Sequence, residues 1–461
     1  MATLLILVFV LGYLLIALEH NLHIDKAASA LITGTLCWAI LVLGWHQAPD
    51  HLVDSFNDFL HGHGGDGHGG LKVFFEHRLL HHMEEISSIL FFLLGAMTIV
   101  ELVDAHNGFA VITDRIKTRK KGRLLWIIAT LTFFFSAALD NLTTSIVMIS
   151  LLRKLIADKP TRWLFAGAVI ISANAGGAWS PIGDVTTTML WIGGQLTTPV
   201  IVTHLILPSI VCMVVPIGIM SMRMKGEVDR PDQADPDEAA DPTSQGERNL
   251  IFAMGVSGLL FVPVFKTVTH LPPFMGMMLS LGVLWLTTEV LHRSKNDQER
   301  SKLSVVGVLR KIDTASVMFF LGILLAVGAL QEAGHLIATA DWLRDSLGDV
   351  YLINIAIGLL SAIVDNVPLV AASMGMYEVA APGTMDAWMG FFVQDGIFWQ
   401  FLAYCAGTGG SALIIGSAAG VAVMGLEKID FVWYMKRMSL LAIAGYLAGA
   451  AVYWLMFGMG A

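Results

Sequence analysis

Charge is scarce in this sequence. Of 461 residues only 14% are Asp, Glu, Lys or Arg, against roughly 25% in a soluble domain, which argues against a soluble enzyme of this length. Cysteine is scarcer still. Cys37, Cys212 and Cys405 lie far apart inside apolar runs, which excludes a disulfide scaffold and a thiolate metal site. No Lys or Arg precedes Lys26, so the apolar start lacks the basic region of a secretory signal. We read it as a retained first span that enters from outside. The composition also excludes a nucleic-acid binder; the acidic excess of 9 charges sits largely in one linker.

What is present is apolar surface. Hydrophobic residues make up 55% of the chain and the mean hydropathy is +0.69. Apolar runs recur, each about the ~20 residues that a bilayer-crossing helix needs. They predict full spans near 2–18, 27–44, 86–104, 163–192, 200–222, 249–268, 273–291, 314–332, 397–424 and 438–459. The expected fold class is therefore an all-α polytopic membrane protein with about ten transmembrane helices.

Two further segments, 124–152 and 351–380, fit no single span. The first, as one helix at ~1.5 Å per residue, would run roughly 43 Å through a core of roughly 30 Å. Its flanks settle its path. Arg115, Lys117, Arg119, Lys120, Lys121 and Arg123 precede it, and Arg153, Lys154, Lys159 and Arg162 follow it. Basic flanks lie in the cytoplasm, so 124–152 is predicted to be a re-entrant hairpin with Asp140-Asn141 at its tip. The second segment is flanked by acids: Glu332, Asp341, Asp345 and Asp349 before it, Asp386 and Asp395 after it. It is predicted to be an opposed hairpin from outside, with Asp365-Asn366 at its tip. In this topology, of 28 Lys and Arg only Lys72, Arg78, Lys266 and Arg344 fall outside.

The sequence repeats itself. Ser136-Ala-Ala-Leu-Asp140-Asn141 returns as Ser361-Ala-Ile-Val-Asp365-Asn366, 225 positions later, and Gly176-Gly177 with Gly183 return as Gly409-Gly410 with Gly416, 233 positions later. Each half would carry five spans and one hairpin. An odd number of spans inverts the second half, and inverted repeats with broken helices are a pattern of secondary transporters. The expected organisation is a first repeat over 1–222, an acidic cytoplasmic linker over 223–248, and a second repeat over 249–461.

The chemistry lies at membrane depth. Asp140, Asp184 and Asp365 sit in apolar surroundings, where carboxylates are costly and therefore functional suspects. A Gly-rich segment, from Ser172 through Asn174, Pro181, Gly183 and Asp184 to Thr186 and Thr187, should unwind; proline removes a helix hydrogen bond and glycine adds freedom. Its counterpart around Ser411 has hydroxyls and glycines but no Asp. Carboxylate, amide, hydroxyl and carbonyl oxygens suit a hard cation. Neither tip nor break contains a Lys or Arg, so an anion has no counter-charge there.

SAALDNLTTSIVM, NAGGAWSPIGDVTTTM, SAIVDNVPL and GTGGSALIIGSAAGVAVMG resemble the NhaD-type sodium/proton antiporters of the ion transporter superfamily. That superfamily also holds sodium-coupled dicarboxylate carriers and arsenite permeases. The resemblance, over about residues 80–440, implies a homodimer with a static scaffold and a transport domain that moves like an elevator. It carries ion-ligand roles onto Asp140, Asn141, Asn174, Asp184, Thr186, Thr187, Ser361, Asp365, Asn366 and Ser411. Ile414 stands where a further hydroxyl is expected. It also implies exchange of cytoplasmic Na+ or Li+ for external H+, because both neutralise one buried carboxylate. No cofactor is expected. The implied location is the cell's inner (plasma) membrane, with both termini outside.

Two other readings stay open. One is a sodium-coupled anion symporter; the other is an intramembrane aspartyl protease built on two membrane aspartates. Separately, eight of the 15 histidines lie between 46 and 82. We read that stretch as a flexible outer loop of biased composition, with zinc binding or pH sensing as alternatives.

Overall fold

The computed structural model describes residues 1–17, 19–22, 24–63, 67–113, 116–231, 243–293 and 295–458. Residues 232–242 of the acidic linker lie outside the described residues. Among those described, no strand longer than an isolated bridge occurs, and the chain is a bundle of helices. Among the described residues, eight helices are long and apolar enough to cross a membrane. Helices Pro273–Leu291 and Thr314–Glu332 begin and end where the hydropathy predicts. Large apolar side chains stand exposed on the outermost helices, Val268, Leu286 and Val290 among them. In water that would be a liability; against lipid tails it costs nothing.

The awkward segments each become a pair of helices. Lys121–Leu139 ends at Asp140, whose φ of 86° breaks the helix. The Asp140 side chain then caps Asn141–Leu155 by accepting from the Thr143 N–H. The far ends of this pair are neighbours. Lys121 N–H donates to Gly226 at 3.0 Å, Val228 N–H donates to Arg119 at 2.8 Å, and Ala157 N–H donates to Asp229 at 2.8 Å. Four residues span at most about 14 Å, so the chain turns back at Asp140. The second pair, Val350–Leu360 and Asn366–Met376, turns over 361–365. Its open end converges on one residue: Asn354 donates to the Phe398 carbonyl at 3.3 Å, and the Tyr377 ring packs 4.8 Å from the Phe398 ring.

The broken helices run between these two open ends, in opposite directions. The first begins at Lys159, breaks after Ala178, resumes over Val185–Ile192, and is tied at Thr197 to Asp395. The second begins there with Ile397–Gly409 and resumes over Ala418–Glu427. Glu427 returns to the open end of the first pair, where Arg153 and Arg162 each donate to it at 2.7 Å.

Repeat-related glycines do the same job in each half. A Cβ on Gly176 would overlap the Phe133 backbone, and a Cβ on Gly409 would overlap the Gly358 backbone. Phe133 and Gly358 are themselves 225 positions apart. In both halves a hairpin-forming helix lies directly against the broken helix next to it.

One expectation is corrected. The His-rich stretch is helical over Asp50–His63 and from Gly67, and the latter helix continues to Ala105. The predicted span at 86–104 is thus the second half of a longer helix. The reason is packing: Leu52 and Phe56 are buried, and Phe56 stacks edge-on against Trp45 and Phe74. Polar contacts add to it. Buried Glu332 accepts from Arg78 at 2.7 Å and contacts His82 Nε2 at 2.9 Å, while His51 reaches the Glu332 carbonyl.

Candidate functional site

The two breaks lie side by side, and one side chain joins them. Asn174, fully buried near the end of the Lys159–Ala178 helix, donates through Nδ2 to Ser411 Oγ and to Ser417 Oγ, both at 2.9 Å. Its Oδ1 accepts from Asn141 Nδ2 at 3.1 Å. The same Asn141 nitrogen donates to Asp184 Oδ2 at 2.8 Å. Asp184 Oδ1 accepts from the Thr186 N–H at 3.0 Å and from Thr186 Oγ1 at 2.9 Å. Asn141, Asn174, Asp184, Thr186 and Ser411 therefore form one network. It draws on the tip of the first pair and on both breaks.

The local sequence explains each placement. Pro181 and Gly183 stop the helix, and Asp184 starts the next as its N-cap, a role that short polar side chains fill well. Asn141 follows the turn at Asp140, so its side chain projects from the start of a helix. Thr187 is buried and its hydroxyl oxygen has no hydrogen-bond partner. A buried oxygen left unpaired is costly.

The remaining residues from the sequence lie around this network rather than in it. Asp140 spends both oxygens on Thr143, accepting from its N–H and its Oγ1 at 2.8 Å each. Its φ of 86° with ψ of 160° lies in a region that glycine alone adopts readily. Ser361 donates to the carbonyls of Gly358 at 2.7 Å and Ala406 at 3.4 Å. Ser136, its counterpart, donates to the Ala173 carbonyl. Asp365 caps Asn366–Met376 through the Val367 N–H, with Asn366 buried beside it. Ile414 is fully buried and supplies no side-chain oxygen.

Two residues that touch the candidate site residues escaped the sequence reading. Ser417 caps Ala418–Glu427 with φ −146° and ψ 152°; Asp184 caps Val185–Ile192 with φ −148° and ψ 141°. The glycine offset of 233 places Ser417 at the position of Asp184, so the repeat was the available signal. Lys26 is the other. Its Nζ lies 3.7 Å from Asp365 Oδ2, so one acidic tip does carry a counter-charge. Nothing in the local sequence of either tip announces this, because Lys26 is more than 300 positions from Asp365.

Comparison with known proteins supplies the family. A family model described as citrate transporter, CitMHS, matches residues 4–393. The chain is 47% identical to sodium/proton antiporter 1 of Arabidopsis thaliana over 97% of this chain and 71% of that protein. It is 43% identical to sodium/proton antiporter 2 of the same plant, over 97% and 98%. It is 30% identical to the Na(+)/H(+) antiporter NhaD of Vibrio cholerae, over 98% and 91%. The chain belongs to the NhaD-type antiporter family. As a family member it is a transporter and not an enzyme. Among solved structures it resembles the YdaH transporter of Alcanivorax borkumensis, with a TM-score of 0.53 at 12% identity over 85% of this chain and 90% of that one. That likeness concerns the fold alone.

Proposed function

We propose that this NhaD-type protein exchanges cytoplasmic Na+, and Li+, for external H+. The observation that carries the reading is the Asp184 network: a buried carboxylate, two amides and three hydroxyls, gathered where two helices break. Oxygen ligands in that number suit a small hard cation. Among the described residues no Lys or Arg pairs with Asp184 or Asp140, so the site's own charge is negative. Burial penalises a bare carboxylate. A sodium ion relieves the penalty, and so does a proton. When either excludes the other, movement of the site between the two faces yields exchange.

We read the two helical pairs and two broken helices as the moving body of an elevator, within a homodimer in the plasma membrane and with both termini outside. The described ions are cargo; no cofactor enters the mechanism. The anion reading keeps one observation in its favour, the citrate-transporter description of the matching family model. Asp184 and Asp140, which no Lys or Arg pairs with among the described residues, weigh against it, since like charges repel an entering anion.

Proteoliposomes holding a pH-sensitive dye test the proposal. Adding Na+ or Li+ on one side should drive protons to the other, with K+ much weaker. Sodium-dependent citrate uptake without proton counterflow would replace it by the anion reading.

Topology is testable separately. Lys120 and Lys159 are exposed at one open end, Asp345 and Glu378 at the other. Single cysteines at Lys120 and Lys159 should react only from the cytoplasm, and those at Asp345 and Glu378 only from outside. Opposite labelling of the first two would make 124–152 a full span and end the shared-site account.

A further inference from the structure

Each helical pair ends in an Asp-Asn tip, yet the two tips are treated differently. At the first, Asp140 accepts from the Thr143 N–H and Oγ1, and among the described residues no Lys or Arg pairs with it. At the second, Asp365 faces the Lys26 ammonium at 3.7 Å, and the same ammonium lies 4.6 Å from the centre of the Phe319 ring. Lys26 opens the Lys26–Leu43 helix, which packs along Thr314–Glu332, the helix that carries Phe319. The ion pair thus crosses between that packed helix pair and the tip of Val350–Met376. Both side chains are mostly covered, at 20% and 16% exposure. A cavity of about 530 Å³, lined by Glu19, Asp25, Lys26, Asp313 and Ser316, opens beside them.

The geometry of the pair is informative. At 3.7 Å the ammonium and Asp365 are beyond hydrogen-bond reach, so charge alone holds them. The Asp365 carboxylate accepts one hydrogen bond, from Val367 N–H, at a long 3.2 Å. Such a carboxylate keeps lone pairs free for a second cation. Lys26 has its own alternative in the Phe319 face and the three acids of the cavity wall. An ammonium with somewhere else to go is displaceable.

We propose that Lys26 is a tethered cation that competes with the transported ion for Asp365. With no ion bound, Lys26 holds the tip and compensates its charge. An entering sodium ion displaces the ammonium toward the Phe319 ring and the acidic wall, and the cost of that displacement weakens apparent sodium affinity. This rests on Asp365 taking part in cation exchange, as proposed above. It also accounts for unequal halves: among the described residues no Lys or Arg pairs with Asp140, whereas Asp365 has Lys26 to displace.

The test is the sodium concentration at half-maximal proton movement, measured at one pH in proteoliposomes holding wild type, Lys26→Gln or Lys26→Arg. Removing the competitor should lower the half-maximal concentration roughly tenfold, about 1.4 kcal/mol. Arginine keeps the charge and should stay near wild type. Because a lysine of merely structural importance would lower the maximal rate and leave the half-maximal concentration unchanged or raised, either result in Lys26→Gln overturns the proposal. Should Lys26→Gln prove too slow to assay, sodium-dependent thermal stabilisation of the purified protein reads binding instead. The midpoint of that titration must then fall by a similar factor, and an unchanged midpoint overturns the proposal equally. Failure of wild type itself to exchange sodium for protons would defeat the proposed function; wild-type exchange with no shift in Lys26→Gln defeats the Lys26 inference alone.

Discussion

Asp184→Asn should abolish sodium-driven proton movement in protein that still folds and inserts. The substitution keeps the size and removes the charge that Na+ and H+ would share. It also creates a local conflict. Oδ1 of Asp184 takes two donors from Thr186 and Oδ2 takes one from Asn141. An amide has a single oxygen. If it turns that oxygen to Thr186, its NH2 confronts the NH2 of Asn141, which cannot flip without losing Asn174 Oδ1. Removing one member of a buried charge-bearing contact costs on the order of 2–5 kcal/mol, or roughly 30-fold to several thousandfold in cation binding. Asp140→Asn is the gentler companion. Asparagine matches the size of Asp140 and its oxygen still accepts from Thr143 N–H, so the charge is removed with less disturbance. Monodisperse, well-inserted variants that exchange at the wild-type rate would dismiss both carboxylates from the mechanism.

Glu427→Ala should be the most destabilising single change at the rim of the bundle. Glu427 is 1% exposed and holds two guanidinium groups, Arg153 on Oε1 and Arg162 on Oε2. Trp163 Nε1 donates to its carbonyl at 3.1 Å, and Arg153 also donates to the Leu426 carbonyl. This clasp binds the second broken helix to the open end of the first pair, so the two halves meet here as well as at Asn174. Breaking a buried ion pair by deleting one partner costs roughly 3–5 kcal/mol, because the surviving charge is stranded. Arg153 is 48% exposed and Arg162 only 17%, so water rescues one and not the other, and about 3 kcal/mol is the reasonable figure. Thermal unfolding in detergent should show a clear drop in midpoint for Glu427→Ala. Arg162→Ala should follow closely and Arg153→Ala should be mild. Equal, negligible effects for all three would mean that the clasp holds nothing together.

The sequence by itself determined the class of protein and most of the spans, and it nominated the residues proposed for the site. Scarce charge and long apolar runs leave a chain no choice but lipid, and helices satisfy their own backbone there. Pro181, Gly183 and Asp184 announced the first break because each has a local effect on the backbone. Asp140-Asn141 and Asp365-Asn366 announced themselves by costing too much at membrane depth. The His-rich stretch was misread for a related reason. Its order comes from Phe56 meeting Trp45 and Phe74, contacts that composition does not encode. The tertiary structure alone decided who meets whom. Asn174 bridging to Ser411 and Ser417, and Lys26 facing Asp365, join residues more than 200 positions apart. Local periodicity records which face of a helix is apolar; it carries no record of the side chain waiting across the gap.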